Sequence, residues 1–194
     1  MTDKNKITYG VCNVHVWPII STSDAGVPTY GTKIKVPGAT EMSLDAEGDT
    51  VKIYGDNVVY YSASVNNGYS GDLTVLNIPE TFYKNILGML EDDNGVLVED
   101  ASKNGAEFAM AFEFDGDVSK RRHVFYRCTA GRPQVASQTK EDTIEANTHQ
   151  ISIEAMPRLD NSIVKATTED NTSDAYSAWY GTAPYAVDFS GGSE

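Results

Sequence analysis

Short segments in which apolar and polar residues alternate recur along the chain, with turn residues between them. In "EMSLDAE", Met42 and Leu44 alternate with serine and acids, and "ISIEA" places Ile151 and Ile153 on one side. "FAMAFEFD" likewise turns its aromatic residues and Met110 one way. Successive side chains of a strand face opposite ways, so these segments predict half-buried strands. "RRHVFYRCT" lacks this separation, which predicts a strand covered on both faces. The pattern favours a mainly β, antiparallel fold.

Two segments carry helix signals instead. "PETFYKNILGML" has Pro79 in its first turn and Glu80 near the positive end of the helix dipole, which predicts a flanking helix over about 79–90. Gly88 is a candidate for an early end of that helix. "SDAYSAWY" offers Ser173 or Asp174 as an N-cap and predicts a short C-terminal helix over about 173–180.

The segment "NVVYYSASVNNGYSGDLTVL", residues 57–76, predicts two paired strands joined by a three-residue turn. A turn of Asn66, Asn67 and Gly68, with positive φ at Gly68, pairs Tyr61 with Leu73 and gives one apolar face. The opposite face is then rich in hydroxyl groups and carries a single charge. Its members include Ser62, Ser64, Ser70 and Asp72.

The length of 194 residues predicts one domain, 1–194, with flexible ends at 1–6 and 182–194. The start "MTDKNKIT" has no apolar h-region, and no apolar run approaches the length of a membrane-spanning helix. We therefore expect synthesis and first folding in a cytoplasm. In a reducing compartment Cys12 and Cys128 are expected to be free thiols.

The chain has 15 basic and 28 acidic residues, a net charge of −13. This balance argues against a general nucleic-acid binder, because such binding draws its affinity from Lys and Arg. Residues 120–140 nevertheless hold six bases and no acid. A basic patch on an acidic body suits head-to-tail self-association, although a strand edge kept soluble by charge would look the same. The bases are Lys120, Arg121, Arg122, Arg127, Arg132 and Lys140.

Residues with metal-binding chemistry occur in two pairs, Cys12 with His15 and His123 with Cys128. Together they count to a two-Cys, two-His zinc set. Both pairs lie in segments predicted to be extended, where residues three or five apart point to opposite faces. Neither pair could chelate from one strand, so we expect no metal site. The sequence also lacks the glycine-rich phosphate loop and the nucleophile elbow, and we predict neither catalytic nor cofactor-binding residues.

Several segments in order carry a family resemblance: "YGVCNVHVWPI", "TKIKVPGATEMSLDAEGD", the hairpin segment through "NIPETFYKNILG", "AFEFDGDVSKRRHVFYRCTAGRPQVASQTKEDTIEANTHQISIEAMPR" and "SDAYSAWY". Over roughly residues 9–180 the chain resembles the major tail protein family of long-tailed, non-contractile bacteriophages. The resemblance implies a β-sandwich or barrel-like domain with a flanking helix. It also implies hexameric rings stacked into the tube through which DNA is ejected, with no catalytic residues.

The resemblance also implies partners and a location. These are further copies of the chain, a tape-measure protein inside the tube, and terminator and tail-tip proteins at its ends, in a virion tail assembled in the host cytoplasm. DNA would pass without tight binding, and no membrane is involved. On this basis Ser62, Ser64, Ser70 and Asp72 are expected to face the lumen, although the strands around 121–139 could form more of that wall. The bases of 120–140 are expected at subunit or ring contacts.

Two other functions fit parts of the sequence. An acidic β-sandwich that binds glycans or acts as an adhesin would use the tyrosine-rich hairpin with Trp17 and Trp179 as exposed aromatics. A hydrolase could use a carboxylate pair such as Glu113 and Asp115, but among 28 acids such a pair discriminates little. A hydrolase of that kind would need one carboxyl with a raised pKa in a cleft.

Overall fold

Thirteen strands and two short helices are formed by residues 7–137 and 146–188, the part of the chain described by the computed structural model. The predicted mainly β, antiparallel fold is confirmed. The strands are β1 (Val11–Thr22), β2 (Pro28–Tyr30), β3 (Ile34–Lys35), β4 (Ala39–Glu47), β5 (Thr50–Gly55), β6 (Val58–Ser64), β7 (Gly68–Val75), β8 (Leu90–Glu91), β9 (Leu97–Val98), β10 (Phe108–Phe114), β11 (Arg122–Ala130), β12 (His149–Ala155) and β13 (Lys165–Thr167). The helices are α1 (Glu80–Asn85) and α2 (Asp174–Ala178).

Nine of these strands form one antiparallel sheet in the order β2-β1-β10-β11-β12-β7-β4, with β3 beside β1 and β13 beside β11. The middle strand β11 changes partner along its length, since His123 to Phe125 pair with β13 and Cys128 to Ala130 pair with β12. Val16 of β1 and Leu73 of β7 lie in the same buried cluster although their strands are far apart in the sheet order. The sheet therefore curls over a shared core.

Strands β7 and β12 show the alternation that the sequence predicts. Leu73 of β7 is buried. In β12, Ile151, Ile153 and Ala155 are buried, whereas Ser152 and Glu154 between them are exposed. One face of this part of the sheet packs on the core, and the other faces outward.

Strand β10 is buried on both faces, so the prediction of a half-buried strand is wrong there. Phe108 and Met110 pack into the main core, while Ala109 and Ala111 pack into a second cluster with Trp17 and Trp179. The small alanine side chains leave room for the two indole rings. The alternation in β10 predicts one buried face, but both faces of the strand are buried. The predicted burial of both faces of β11 is confirmed, because Val124, Phe125 and Tyr126 are all buried.

The flanking helix is shorter than predicted, because α1 ends at Asn85. Phe82 anchors it in the core. Beyond it, Gly88 has φ +75°, and a Cβ there would lie 2.9 Å from the carbonyl oxygen of Asn104. Helix α2 begins where predicted, with the Ser173 hydroxyl accepting a hydrogen bond from the backbone N–H of Tyr176 at 3.2 Å.

The predicted pairing of residues 57–64 with 68–75 is wrong. β6 pairs with β5, whereas β7 lies between β4 and β12. The true turn is Asp56-Asn57, with φ of 49° and 64°, closing a two-residue loop between Gly55 and Val58. Asp and Asn are among the residues that tolerate this left-handed geometry, which matches the twist of paired strands.

The predicted turn residues lie midway along one arm of a longer hairpin. The N–H of Val65 donates to the carbonyl of Asp49, and the N–H of Asn67 donates to that of Glu47, both at 2.9 Å. These bonds carry the pairing of β4 with β7 on into β5 and β6. Gly68 does have positive φ, 111°, but it pairs with Glu47. Residues 39–75 therefore fold as one long hairpin.

The chain after α2 stays on the body for longer than predicted. The ring of Tyr185 stacks on Trp179 at 5.1 Å, and the Tyr126 hydroxyl donates to the Tyr185 carbonyl at 2.8 Å. Tyr185 lies within the predicted flexible end 182–194 and is in contact with the body, and the bounds of that end stay a prediction. The remaining predicted ends, 1–6 and 189–194, lie outside the described residues, as does Lys140.

Candidate functional site

The outward face of β4, β7 and β12 is acidic and rich in hydroxyl groups. The register aligns its side chains in three rows across the strands. One row holds Ser43, Asp72 and Ser152, and another holds Asp45, Ser70 and Glu154. The third row, Glu41, Thr74 and Gln150, lies toward the Val75 end of the sheet. We call these nine residues, together with Glu47, the acidic face.

The acidic face holds five carboxylates and no Lys or Arg, and none of the three strands contains either base. The Ser70 hydroxyl donates to Glu47 Oε1 at 2.5 Å, so part of the hydroxyl layer is held by the acids. DNA adheres to proteins by exchanging counterions for Lys and Arg, and this surface offers it none. Because it carries five carboxylates, the acidic face would repel a polyanion such as DNA and would not bind it.

The four predicted lumen residues fall on two different surfaces. Ser70 and Asp72 lie in the middle of the acidic face. Ser62 and Ser64 lie instead on β6, in the two-stranded sheet with β5. The acids of β4 and β12 were predicted on the polar sides of their own strands, but they were not predicted beside Ser70 and Asp72, because β7 was paired with the wrong strand. Their alternation with Met42, Leu44, Ile151 and Ile153 was the available signal.

The second surface is the two-stranded end of the long hairpin, residues 49–65, which we call the ribbon. Within the described residues, β5 and β6 pair only with each other. Cross-strand pairing places Val51 opposite Ala63 and Ile53 opposite Tyr61. The alternate residues, Thr50, Lys52, Ser62 and Ser64, form the opposite face. The ribbon is thus amphipathic near its base.

The apolar side chains of the ribbon are exposed. Val51 is 50% and Ile53 is 54% exposed, and Tyr60 near the tip reaches 83%. A projecting hairpin with this much exposed apolar area is unusual in a protein that works alone, and it indicates a surface for a partner.

The predicted basic patch is largely paired inside the chain. Each of its five described bases contacts an acid: Lys120–Asp115, Arg121–Asp117, Arg122–Glu113, Arg127–Glu107 and Arg132–Glu99, at 2.6 to 3.8 Å. All five of these acids lie before residue 120 in the sequence, so residues 120–140 contain bases alone. The bases are not a continuous uncompensated surface, and their role between subunits stays a prediction.

Arg122 has a defined internal role. Its guanidinium lies 3.5 Å from the centre of the Tyr176 ring and donates to the Tyr176 carbonyl and to Glu113. Trp179 Nε1 donates to the His123 carbonyl at 3.3 Å beside it. Together these contacts fasten α2 to the outer side of β10 and β11.

A third surface is an apolar groove between α1, the β8–β9 hairpin and residues 132–136. Its cavity volume is about 390 Å³. Tyr83, Leu87 and Leu97 line it, Val135 at its edge is fully exposed, and the Arg132–Glu99 ion pair at 2.7 Å crosses its rim.

The cysteines and carboxylates considered for a metal site or for catalysis are spread over several elements of the described residues. Within residues 7–137 and 146–188, no group of three or more His, Cys, Asp and Glu is placed to hold a metal ion. Both cysteines are free, and burial raises the pKa of the Cys128 thiol. Backbone N–H donors are the main cause of a lowered pKa at three carboxyls, Asp92, Asp100 and Asp170. A general acid needs the opposite shift.

The two tryptophans that a glycan-binding surface would have used are buried. Trp17 is 0% and Trp179 is 2% exposed, so neither can stack on a sugar at the surface. Glu113, one of the carboxylates considered for hydrolysis, is held by Arg122 and by the Asn13 amide. No helix among the described residues is long and apolar enough to cross a membrane.

Comparison with known proteins places the sequence in a family. The family model described as phage tail tube protein matches residues 21–180, most of the chain. No curated protein matches the sequence. The matched span contains the acidic face, the ribbon, the groove and α2. The chain therefore belongs to the phage tail tube protein family, the structural proteins that build the tube of the virion tail.

Proposed function

We propose that residues 1–194 act as one tail-tube domain, that six copies form a ring, and that stacked rings form the conduit for the ejected DNA. The acidic face lines the lumen. The observation that carries this proposal is the face itself: five carboxylates and a layer of hydroxyl and amide groups on three adjacent strands, without Lys or Arg. DNA sliding past such a wall finds no counterion-releasing partner to hold it.

The free edge of the sheet supports closure into a ring. Among the described strands β4 pairs with β7 alone, so its other edge offers unpaired backbone N–H and C=O groups. Exposed edges favour pairing with another chain, and a closed barrel removes every edge. A neighbouring subunit that covers this edge would continue the acidic face around the lumen.

Membership of the family also supports the partners. We propose that a tape-measure protein occupies the lumen during assembly and that terminator and tail-tip proteins cover the two ends of the tube. Among the predicted contact bases, Lys120, Arg121 and Arg132 are the more exposed and could reach a neighbour. Arg122 and Arg127 are held within the subunit.

Negative-stain electron microscopy of the concentrated protein, at low and at moderate salt, tests assembly directly. Hollow rings or tubes are the expected result. Labelling then tests the orientation, in a Cys12→Ser background because Cys128 is buried. Ser152→Cys lies on the acidic face, and the matched control Ser177→Cys is exposed on α2, across the body.

Both thiols should react with a bulky maleimide in the free subunit. In assembled tubes Ser177→Cys should still react, while Ser152→Cys should be protected. Equal labelling of the two positions in tubes would place the acidic face outside and reject the assignment.

Charge reversal offers an independent test of the lumen. Tubes that carry Asp72→Lys with Glu154→Lys should retain short DNA that wild-type tubes release, and the retention should weaken steeply as salt rises. Co-sedimentation of labelled DNA with tubes measures it. Wild-type tubes that already retain DNA at physiological salt would contradict the proposal.

A further inference from the structure

Two buried polar groups near α2 have no hydrogen-bond partner among the described residues. They are the indole Nε1 of Trp17, on β1, and the hydroxyl of Tyr180, in the segment after α2. Trp17 is completely buried, and Tyr180 packs against the same cluster. An indole N–H can only donate a hydrogen bond, and a buried donor without an acceptor destabilises the folded state. Buried polar groups that no protein group satisfies are usually paired with an ordered water molecule.

His15 is a neighbour of both groups. Its ring centre lies 6.4 Å from that of Trp17 and 4.8 Å from that of Tyr180. Its Nδ1 lies 2.9 Å from the carbonyl oxygen of Asn13, which can only accept, so Nδ1 carries the hydrogen. Burial lowers the pKa of His15, and the ring is therefore neutral at pH 7. In this tautomer Nε2 is a hydrogen-bond acceptor.

The charged groups around these side chains favour an uncharged ligand. Besides burial, Lys33 and Lys35 lower the pKa of His15, whereas Glu113 on β10 raises it. Burial, and then Glu113, raises the pKa of Tyr180, so the hydroxyl keeps its proton. Glu113 is thus close, but it makes no hydrogen bond of acceptable geometry with that hydroxyl.

The donors and acceptors identify the ligand. The nearby carboxylate would repel an anion, and an indole N–H offers no lone pair to a metal ion. The ligand must accept a hydrogen bond from Trp17 and donate one to His15, and it must be small and neutral. Water meets all of these requirements.

We propose that one ordered water molecule binds between β1 and the segment after α2, where it accepts from Trp17 Nε1 and donates to His15 Nε2. Its remaining hydrogen-bonding positions can pair with the Tyr180 hydroxyl. Buried waters with two to four such partners are typical of protein interiors. The water supplements the direct bond from Lys33 Nζ to the Tyr180 carbonyl, 2.5 Å long, in holding this segment to the body. The site lies within one subunit and does not depend on ring assembly.

Nuclear magnetic resonance of the dilute, unassembled protein, labelled with ¹⁵N at tryptophan, tests the site. The Trp17 indole proton should show a cross-peak with water in a rotating-frame experiment. The sign of that cross-peak should be that of dipolar contact with a bound molecule and not that of chemical exchange. Trp179 Nε1 donates to the His123 carbonyl at 3.3 Å and is the internal control, which should show no such cross-peak.

Two substitutions separate the roles of the neighbours. His15→Phe keeps an aromatic ring but removes the acceptor, so the water cross-peak of Trp17 should be lost. Tyr180→Phe removes only a hydroxyl, and the cross-peak should remain because Trp17 and His15 still hold the water. Loss of the cross-peak in Tyr180→Phe would mean that the hydroxyl proton relays the signal, and would overturn the proposal. An unchanged Trp179 signal in both variants would show that the segment is still folded.

Acidification provides a second readout without any substitution. Protonated His15 carries a hydrogen on Nε2 as well, so it can no longer accept from the water. The Trp17 cross-peak should therefore weaken as pH falls below about 6.5. No water cross-peak at Trp17 at neutral pH would mean that the indole donates directly to a protein group, and would overturn the proposal. Equal cross-peaks at both tryptophans would overturn it as well.

Discussion

The two halves of the long hairpin follow the same alternating pattern and end in opposite environments. In the body half, Leu73 and the facing Ile151 are buried completely or nearly so. In the ribbon half, Val51 and Ile53 remain about half exposed. Alternation shows that one face of a strand is to be covered, but it does not show whether the same chain covers it. The body strands build the core, whereas the apolar side chains of the ribbon strands stay exposed within the described part of the chain.

The largest effect on folding should come from the core of the body. Phe108 is fully buried and packs edge to face on Phe82, with ring centres 6.2 Å apart. Phe108→Ala should lower the free energy of unfolding by about 3–5 kcal/mol, since it removes a large side chain and leaves a cavity. Tyr60→Ala on the ribbon should change it by less than about 0.5 kcal/mol. Urea denaturation measures both, and similar losses would mean that the ribbon packs on the body.

A smaller loss should follow when α2 is released from the body. Arg122→Ala removes the contacts with Glu113 and Tyr176 and leaves Glu113 without its ion pair, which should cost about 2 kcal/mol. Arg132→Ala is the matched control at a side chain that is 63% exposed, and it should cost less than about 0.5 kcal/mol. Tryptophan fluorescence during urea unfolding reports both, because Trp179 is carried by this segment. An equal loss in the two variants would contradict the anchoring role of Arg122.

The pH dependence of folding stability should come from the body and not from the ribbon, as far as histidines contribute to it. Burial, reinforced by Arg121, lowers the pKa of His123 in the folded protein, and the ribbon contains no histidine. The stability linked to this group is fully present above the unfolded pKa near 6.5 and is lost as pH falls toward the lower folded pKa. Melting temperature should therefore drop between pH 7 and pH 5. Burial also lowers the pKa of His15.

His123→Gln should flatten part of that slope and leave the part that comes from His15. Melting curves of the variant and the wild type at matched ionic strength provide the comparison. An unchanged slope in the variant would mean that His123 does not lose stability by protonation in this range.

The smallest effect on folding should come from removal of the ribbon. Replacing residues 48–67 with an Asn-Gly turn joins Glu47 to Gly68, which are already paired, through a loop suited to a two-residue hairpin. The free energy of unfolding should change by no more than about 0.5–1 kcal/mol. A body that fails to fold without residues 48–67 would show that the ribbon has a structural role within the subunit.

Much of the fold follows from local signals. Alternation identified the strands around Met42, Phe108 and Ile151, and the Ser173 cap located the start of α2. Gly88 indicated that α1 could not continue to residue 90, because its positive φ is incompatible with a helix. The helix ends before it, at Asn85. These predictions depend on side-chain period and backbone geometry, which neighbouring residues determine.

The candidate site was predicted only in part. Ser70 and Asp72 were placed on a polar outward face, but Ser62 and Ser64 were assigned to the same face through a wrong strand pairing. The Asp56-Asn57 turn was a signal that could have corrected it, because that pair favours a two-residue hairpin loop. Three of the acids that pair with the bases of 120–132 lie just upstream of residue 120 in the sequence. Glu99 and Glu107 lie farther away, and no local pattern reveals their ion pairs.

By itself the sequence determined that this protein is built of antiparallel strands, that it is strongly acidic, and that its alternating segments resemble those of tail tube proteins. Only the tertiary structure decided which strand pairs with which, that β10 is covered on both faces, and that acids of β4, β7 and β12 share one face. The physical reason is that alternation and turn propensity act over a few residues. Strand partners, ion pairs and opposed surfaces depend on contacts between residues far apart in the chain, which exist only once it has folded.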